Sequence, residues 1–355
     1  MEFALNHDQV ALQESIRRFL ADRYPIERVS KIADGAGWDP GSWREVAELG
    51  WVGISVPQPE GGLGMGFLEE MIAFEELGGA VFPGPFFASV ALALPALARA
   101  PDVRRAVIGG DRAATVAWAG EGPTELTARS EDGRLWGASM FVPNIGSCDL
   151  IVVAAASEDG PSVWSVDRDG EGVSWEELPT VDATRRLGRI ELDRAAARRL
   201  AAGDEAAGLL ERIRDRALAA LAAEAVGVAS RALDLSVRYA RSREQFGRPV
   251  GVYQAVSHAL ADAYVEVESA RSLAYWAGWA VADRADEAGA AAAAAKAYAA
   301  DAAVDACERA IQVHGGIGFT WEHPLHRYYR RALGIAALMG WPSEHRERVA
   351  AFVLD

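Results

Sequence analysis

Lysine is almost missing from this chain: Lys31 and Lys296 are the only two in 355 residues, so arginine supplies nearly all of the 36 basic side chains. Neither lysine stands in a Gly-Lys-Ser/Thr setting, which excludes a phosphate-binding P-loop, and the same scarcity argues against a Schiff-base lysine. Cysteine is equally sparse. Cys148 and Cys307 are too few for a four-thiolate metal site or a disulfide framework, which points to a reducing compartment and a cytoplasmic protein. The start of the chain lacks the basic-then-apolar run of a signal peptide, and the Ala-rich stretches are interrupted by charges, so neither a leader nor a membrane span is expected. Basic charge is in deficit as well: 51 acidic residues give a net charge of −15, which opposes a phosphate-tracking surface for nucleic acid or an anionic membrane. What is present is 50% hydrophobic and 25% charged, enough for two or three domains with buried cores and incompatible with disorder.

Texture divides the chain into three parts. Apolar residues Val10, Leu12, Ile16, Phe19 and Leu20 recur at helical spacing over 8–23, with Asn6 or His7 as the start. Further helices are expected at 43–49 and 68–77, separated by a glycine-rich loop, so residues 1–112 read as a helical domain. Residues 113–200 carry short β-prone runs at 115–118, 150–154, 163–166, 173–175 and 188–192, a compact β-domain of barrel or sandwich type. From 201 to 355 the Ala-rich segments 206–241, 255–285 and 289–313 place apolar residues at i, i+3 and i+4, as a four-helix-like bundle requires. The fold class is mainly α with a central β-domain.

Several familiar chemistries find no footing. Gly61, Gly62, Gly64 and Gly66 do not form a Gly-x-Gly-x-x-Gly between a strand and a helix, so the loop reads as a tight turn rather than a dinucleotide site. His323 and His326, with His314 nearby, lack a cysteine or carboxylate set, and Pro324 interrupts any helix between them, which argues against metal. No Gly-x-Ser-x-Gly elbow is present.

The order of these domains, with five motifs, resembles the acyl-CoA dehydrogenase family over the whole chain. Val56-Pro-Gln-Pro-Glu-Gly-Gly-Leu-Gly and Glu75-Glu-Leu-Gly are similar to the family's N-terminal signatures. Arg241-Ser-Arg-Glu-Gln-Phe-Gly-Arg-Pro with Gln254, Gln312-Val-His-Gly-Gly-Ile-Gly-Phe, and His323-Pro-Leu-His-Arg-Tyr-Tyr-Arg-Arg-Ala are similar to its bundle motifs. The resemblance implies FAD bound across a subunit interface, with one chain gripping the flavin and the acyl-CoA while its neighbour's bundle meets the pyrophosphate and adenosine end. Carried over residue by residue, Arg243 is the pyrophosphate-facing arginine, whose planar fork suits phosphate oxygens. Gln245 and Phe246 are cofactor-side contacts, and Gln312, Gly315 and Gly316 form the second element, where glycine lets backbone amides approach closely. Taken singly, each has an ordinary alternative: a surface ion pair for Arg243, a core aromatic for Phe246, a helix C-terminus for Gly315-Gly316.

Departures from the family pattern are confined to the other side of the site. The flavin-gripping Thr-Glu-Pro-x-x-Gly-Ser-Asp loop is replaced by Trp118-Ala-Gly-Glu-Gly-Pro-Thr-Glu, and Trp-Ile-Thr-Asn by Phe141-Val-Pro-Asn, so Pro143 stands where a hydroxyl donor is usual. The family's catalytic glutamate aligns with Met339, whose thioether cannot act as a base, and the alternative position of the base aligns with Arg216 and Ala217. Asp215 and Glu224 lie within about two helical turns of that alternative position and are the remaining carboxylate candidates. The expectation is therefore a base-lacking subunit, resembling the small subunit of actinobacterial α2β2 dehydrogenases that act on CoA thioesters of steroid side chains. It would complete the FAD site of a longer acyl-CoA dehydrogenase homologue acting as α subunit, with electron-transfer flavoprotein as acceptor. The alternatives are a self-sufficient dehydrogenase with a displaced base and a flavin-free scaffold that binds CoA thioesters.

Overall fold

Local chemistry explains where the first helices begin. In α1 (His7–Arg23) the Asn6 side chain accepts the Gln9 amide at 2.9 Å while the Gln9 side chain accepts the Asn6 amide at 3.0 Å, a reciprocal capping box. After α2 (Ile26–Asp34), Asp39 caps α3 (Pro40–Glu48), whose leading proline has no amide to leave unpaired. Then follow α4 (Phe67–Gly79), a π-helical stretch (Phe87–Ala93) that runs into α5 (Leu94–Leu97), and α6 (Pro101–Ile108). The computed structural model describes residues 5–118 and 126–354.

Within these residues the strands are β1 (Ala114–Ala117), β2 (Ala128–Glu131), β3 (Arg134–Pro143), β4 (Leu150–Ser157), β5 (Gly160–Asp167), β6 (Val173–Glu177), β7 (Leu187–Ala196) and β8 (Arg198–Ala202). The second half comprises α7 (Gly203–Ser242), the hairpin β9 (Glu244–Gln245) and β10 (Arg248–Pro249), α8 (Gln254–Asp283), α9 (Ala288–His314), α10 (Leu325–Ala337) and α11 (Pro342–Leu354). The chain divides into two compact units, each assembled from separated stretches: residues 1–30, 71–82 and 218–355 form one, and residues 31–70 and 83–217 the other. This is the mainly helical architecture with a central sheet that the sequence leads one to expect.

In the second unit the strand order is β6-β7-β3-β2-β4-β5-β8, with β1 joining β4 in parallel. β1 and β2 take successive parts of one edge of β4, pairing with 150–153 and 155–156. The sheet core is Leu135, Val142, Ile151, Val153, Trp164, Val166 and Ile190, all buried. Expected strands appear as β1, β4, β5, β6 and β7. β2, β3 and β8 lie outside the expected runs: β2 and β8 carry exposed Arg129, Arg198 and Arg199, and the buried positions of β3 are interrupted by partly or fully exposed ones. A register shift in β3 between Ser139 and Val142 leaves Phe141 at φ +57° and half exposed.

The bundle unit is organised by the crossing of α4 and α7. A Cβ on Gly227 would lie 1.9 Å from the Glu75 carbonyl oxygen, and one on Gly78 would lie 2.2 Å from the Glu224 carbonyl oxygen, so two glycines allow two backbones to touch. Arg17 grips Glu76 with two hydrogen bonds, at 3.0 and 2.6 Å, and Arg271 with Tyr275 holds Glu75. α8 and α9 pack through alanines such as Ala270, Ala274, Ala292 and Ala299, all buried. Among the described residues no helix is long and apolar enough to cross a membrane. Gly227→Ala is expected to lower unfolding free energy by about 3 kcal/mol or more, at the severe end for overpacking because the obstructing atom is backbone; thermal and urea unfolding check it.

Candidate functional site

The hairpin after α7 is a projecting element. The Arg243 amide donates to the Tyr239 carbonyl at 2.8 Å and the Val250 amide to the Arg243 carbonyl at 2.7 Å, which fixes its base. Gln245 pairs with Arg248, and at the tip Phe246 and Gly247 both take left-handed backbone, φ +54° and +78°, as a two-residue type I′ turn requires. Asparagine or glycine is usual at the first of these positions; phenylalanine there costs about 1–2 kcal/mol. Its side chain is 93% exposed and so returns none of that cost through burial in this chain. A strained, exposed aromatic is the mark of a contact residue rather than of a core aromatic. Tyr253 braces the hairpin, its hydroxyl donating to the Gln245 carbonyl at 3.0 Å and its ring lying 4.8 Å from the Arg248 guanidinium. Gln245 and Arg243 are exposed, and Arg243 makes no ion pair among the described residues.

The second element is the end of α9. Gly315 caps the helix at φ +62°, its amide directed at the carbonyls of Gln312 and Ile311, which accounts for glycine at that position. Gly316 has no such reason. Its φ is not positive and an added Cβ would meet nothing within 4 Å, so the chain's own packing does not require glycine there. Gln312, Gly315 and Gly316 are all exposed, followed by Phe319 and Trp321, 79% and 69% exposed.

These two elements are far apart in sequence and meet through a ring stack. The Tyr239 ring lies on the His314 ring at 4.3 Å between centroids and 28° between planes, and the His323 ring lies 4.5 Å from the imidazole, tilted by 49°. His314 is buried, with Nδ1 2.8 Å from the Ala310 carbonyl, and burial holds its pKa below the ordinary histidine value. The sequence brings His314 and His323 to notice only as members of two motifs and of a histidine cluster unsuited to metal, with no role of their own, and Tyr239 and Tyr253 not at all. The signal that could have found them is helical spacing: Tyr239 stands one turn before Arg243, and His314 directly precedes the glycines.

The positions of the expected base lie elsewhere. Met339 occupies the turn between α10 and α11 at φ +63°, with Gly340 at +105°. Lys296, fully buried, donates to the carbonyls of Ala336 at 3.1 Å and Gly340 at 2.9 Å and so holds that turn, while His345 packs against Gly340. Glu224 is buried in an ion pair with Arg331, which also donates to the Phe82 carbonyl at 3.2 Å. Asp215 is half-buried, 3.8 Å from the Arg214 Nε. Arg216 is paired with the buried carboxylate of Glu70 and donates to the Ser55 hydroxyl at 2.7 Å. The Pro143 carbonyl accepts the Thr115 hydroxyl at 2.6 Å, so this residue serves the sheet. Of the altered loop beginning at Trp118, residues 119–125 lie outside the described residues.

Residues 6–101 match the family described as acyl-CoA dehydrogenase, N-terminal domain, and residues 210–354 match acyl-CoA dehydrogenase, C-terminal domain. Acyl-CoA dehydrogenase IpdE2 of Mycolicibacterium smegmatis is 30% identical over 98% of this chain and 100% of its own length. The chain belongs to the acyl-CoA dehydrogenase family. The family's oxidoreductases act on CH–CH bonds. Among solved structures, the ChsE4–ChsE5 complex of Mycobacterium tuberculosis superposes with TM-score 0.91 at 30% identity, covering 100% of this chain and 99% of the other. A variant of the Tcur3481–Tcur3483 steroid ACAD does so with TM-score 0.89 at 32% identity, covering 98% of each. Of the motifs, those beginning at Arg241 and Gln312 fall on the two exposed elements joined by the ring stack, and that beginning at Glu75 falls on the α4–α7 crossing.

Two measurements follow from the buried charges. Replacing Glu224 with glutamine breaks the buried ion pair with Arg331 by removing one of its charges, and a loss of about 3–5 kcal/mol in unfolding free energy is expected, read by urea unfolding. Burial pushes the Lys296 pKa down to about 7, well below the value of an unfolded lysine. Between about pH 7 and pH 10 the unfolded chain therefore binds more protons. Stability should rise with pH across that window, by at most about 1.4 kcal/mol per unit from this residue. It should be lost again as pH falls through about 7, and Lys296→Met should flatten the slope.

Proposed function

We propose that this chain is the non-catalytic subunit of a heteromeric, FAD-dependent acyl-CoA dehydrogenase of the cytosol, completing the cofactor site of a longer homologue that carries the base. The single observation that supports it most is the contrast between two sets of residues. Arg243, Phe246, Gln312 and Gly316 are exposed and lack an internal use, whereas every candidate carboxylate near the former base positions is replaced or engaged by an arginine.

The donor set fits the adenosine-diphosphate half of FAD. Arg243 presents a guanidinium free of internal pairing, which favours bidentate binding to phosphate oxygens. Gly315 and Gly316 present open backbone, since a methyl group added to either would meet nothing within 4 Å, so a phosphate or ribose has room to approach the main chain there. Phe246, already held out of its own core, offers an apolar face, and Gln245 and Gln312 offer amide donors and acceptors. When bound, the flavin supplies the acceptor for the β-hydride of the acyl thioester. This chain's residues bind, orient and shield the far end of that cofactor, and the α-proton is removed by a carboxylate of the partner. The partner is a longer acyl-CoA dehydrogenase homologue in an α2β2 assembly, the substrate an acyl-CoA with a steroid side chain, and the onward acceptor electron-transfer flavoprotein. Similar structures named for paired chains, one of them a steroid ACAD, support the heteromeric part of this reading.

The deciding experiment is the flavin-to-chain ratio from visible absorbance, first on this chain alone and then on the chain co-expressed with the longer homologue. Colourless protein alone and one flavin per pair of chains are expected. A full flavin per chain in isolation overturns the reading. Within the pair, Arg243→Ala should weaken FAD binding by about 10- to 100-fold, the span of a lost charge-assisted hydrogen bond.

A further inference from the structure

We propose that Tyr239 and His314 are positioning residues that set the register between the two halves of this cofactor wall, the Arg243 hairpin and the Gly315-Gly316 turn. The inference rests on the reading above and goes beyond it by naming residues that touch no cofactor.

Each ring is rigidly tied to the half it serves. Tyr239 lies one helical turn before Arg243 and accepts that residue's amide through its own carbonyl at 2.8 Å, so the ring and the first hairpin residue move together. His314 is the last residue of α9, bonded through the chain to Gly315, and its Nδ1 at 2.8 Å from the Ala310 carbonyl fixes the ring plane. The rings then meet at 4.3 Å with 28° between planes, a near-parallel stack that resists shear of one element along the other. His323 lies 4.5 Å from the imidazole between centroids, tilted by 49°, and His314 is 4% exposed. A cofactor gripped from two chain segments needs them placed to within about 0.5 Å of one another. Arg243, Gly315 and Gly316 have no packing of their own to supply that precision, being exposed. Burial disfavours protonation of His314, consistent with a neutral ring used for its face.

The test uses the co-expressed pair. Tyr239→Ala, His314→Ala, Tyr239→Phe and His314→Phe are compared with Arg243→Ala for FAD retained after gel filtration, for the Kd of FAD rebinding to the stripped complex by flavin fluorescence, and for unfolding temperature. Both alanine variants should bind FAD at least about tenfold more weakly while the pair still assembles, and both phenylalanine variants should restore binding, since a ring face is what the stack requires. If an alanine variant fails to assemble, leucine at the same position keeps the bulk without the ring and is judged by the same criterion. Unchanged FAD affinity in the ringless variants, alongside a loss in Arg243→Ala, overturns the positioning role and leaves the functional reading standing. Loss of FAD in the phenylalanine variants also overturns it. Unchanged affinity in Arg243→Ala overturns the functional reading itself, and this inference with it.

Discussion

Contact between the backbones of α4 and α7 is the constraint on which the bundle unit depends. Gly78 and Gly227 have no side chains to hold the helices apart, and each faces a carbonyl of the other helix, at Glu224 and Glu75. The rest of the unit is arranged around that contact. Glu75 and Glu76, carried in by α4, meet Arg271 from α8 and Arg17 from α1, and Glu224 on α7 meets Arg331 from α10. A cleft of about 960 Å³ beside this crossing is lined by these same acidic and basic groups, whose charges are directed at one another. The Glu-Glu-Leu-Gly motif that reads as a family signature is thus a packing device: two acids to bind arginines of neighbouring helices and a glycine to permit the approach.

The chemistry-bearing surface stands apart from this tightly paired interior. Where the bundle pairs many of its charges, the Arg243 hairpin leaves a guanidinium without an ion pair among the described residues, and the hairpin and the turn after α9 put Phe246, Phe319 and Trp321 at the surface. Strain points the same way, because phenylalanine in left-handed backbone at a hairpin tip opposes the intrinsic preference of the residue. The turn carrying Met339 has the opposite character. It is held by a buried lysine, one of only two in the chain, and carries a methionine, whose thioether is not a base.

Helices and central strands were legible from the sequence because their periodicity is a direct image of burial. The capping box at Asn6, the 3.6-residue repeat in α1 and the apolar run of β4 each express a local rule. Strands β2, β3 and β8 were not legible, since β2 and β8 are short and carry exposed arginines, and β3 breaks its alternation of buried and exposed positions at a register shift. Of the site, Arg243, Gln245, Phe246, Gln312, Gly315 and Gly316 were readable as motifs. That Glu224 is spoken for was not, because its partner Arg331 lies more than a hundred residues away.

The sequence by itself determined the composition limits, the order of helical and β segments, the motifs that place the chain in its family, and the absence of a carboxylate at Met339. All of these are properties of residue type and spacing. The tertiary structure decided which side chains remain available. It committed Glu224 to Arg331 and Arg216 to Glu70, left the Arg243 guanidinium without an ion pair among the described residues and open space beside Gly316, and brought Tyr239 against His314. These outcomes depend on distances between residues remote in the chain, and a distance of that kind is set by packing of whole elements rather than by any local preference of the residues concerned.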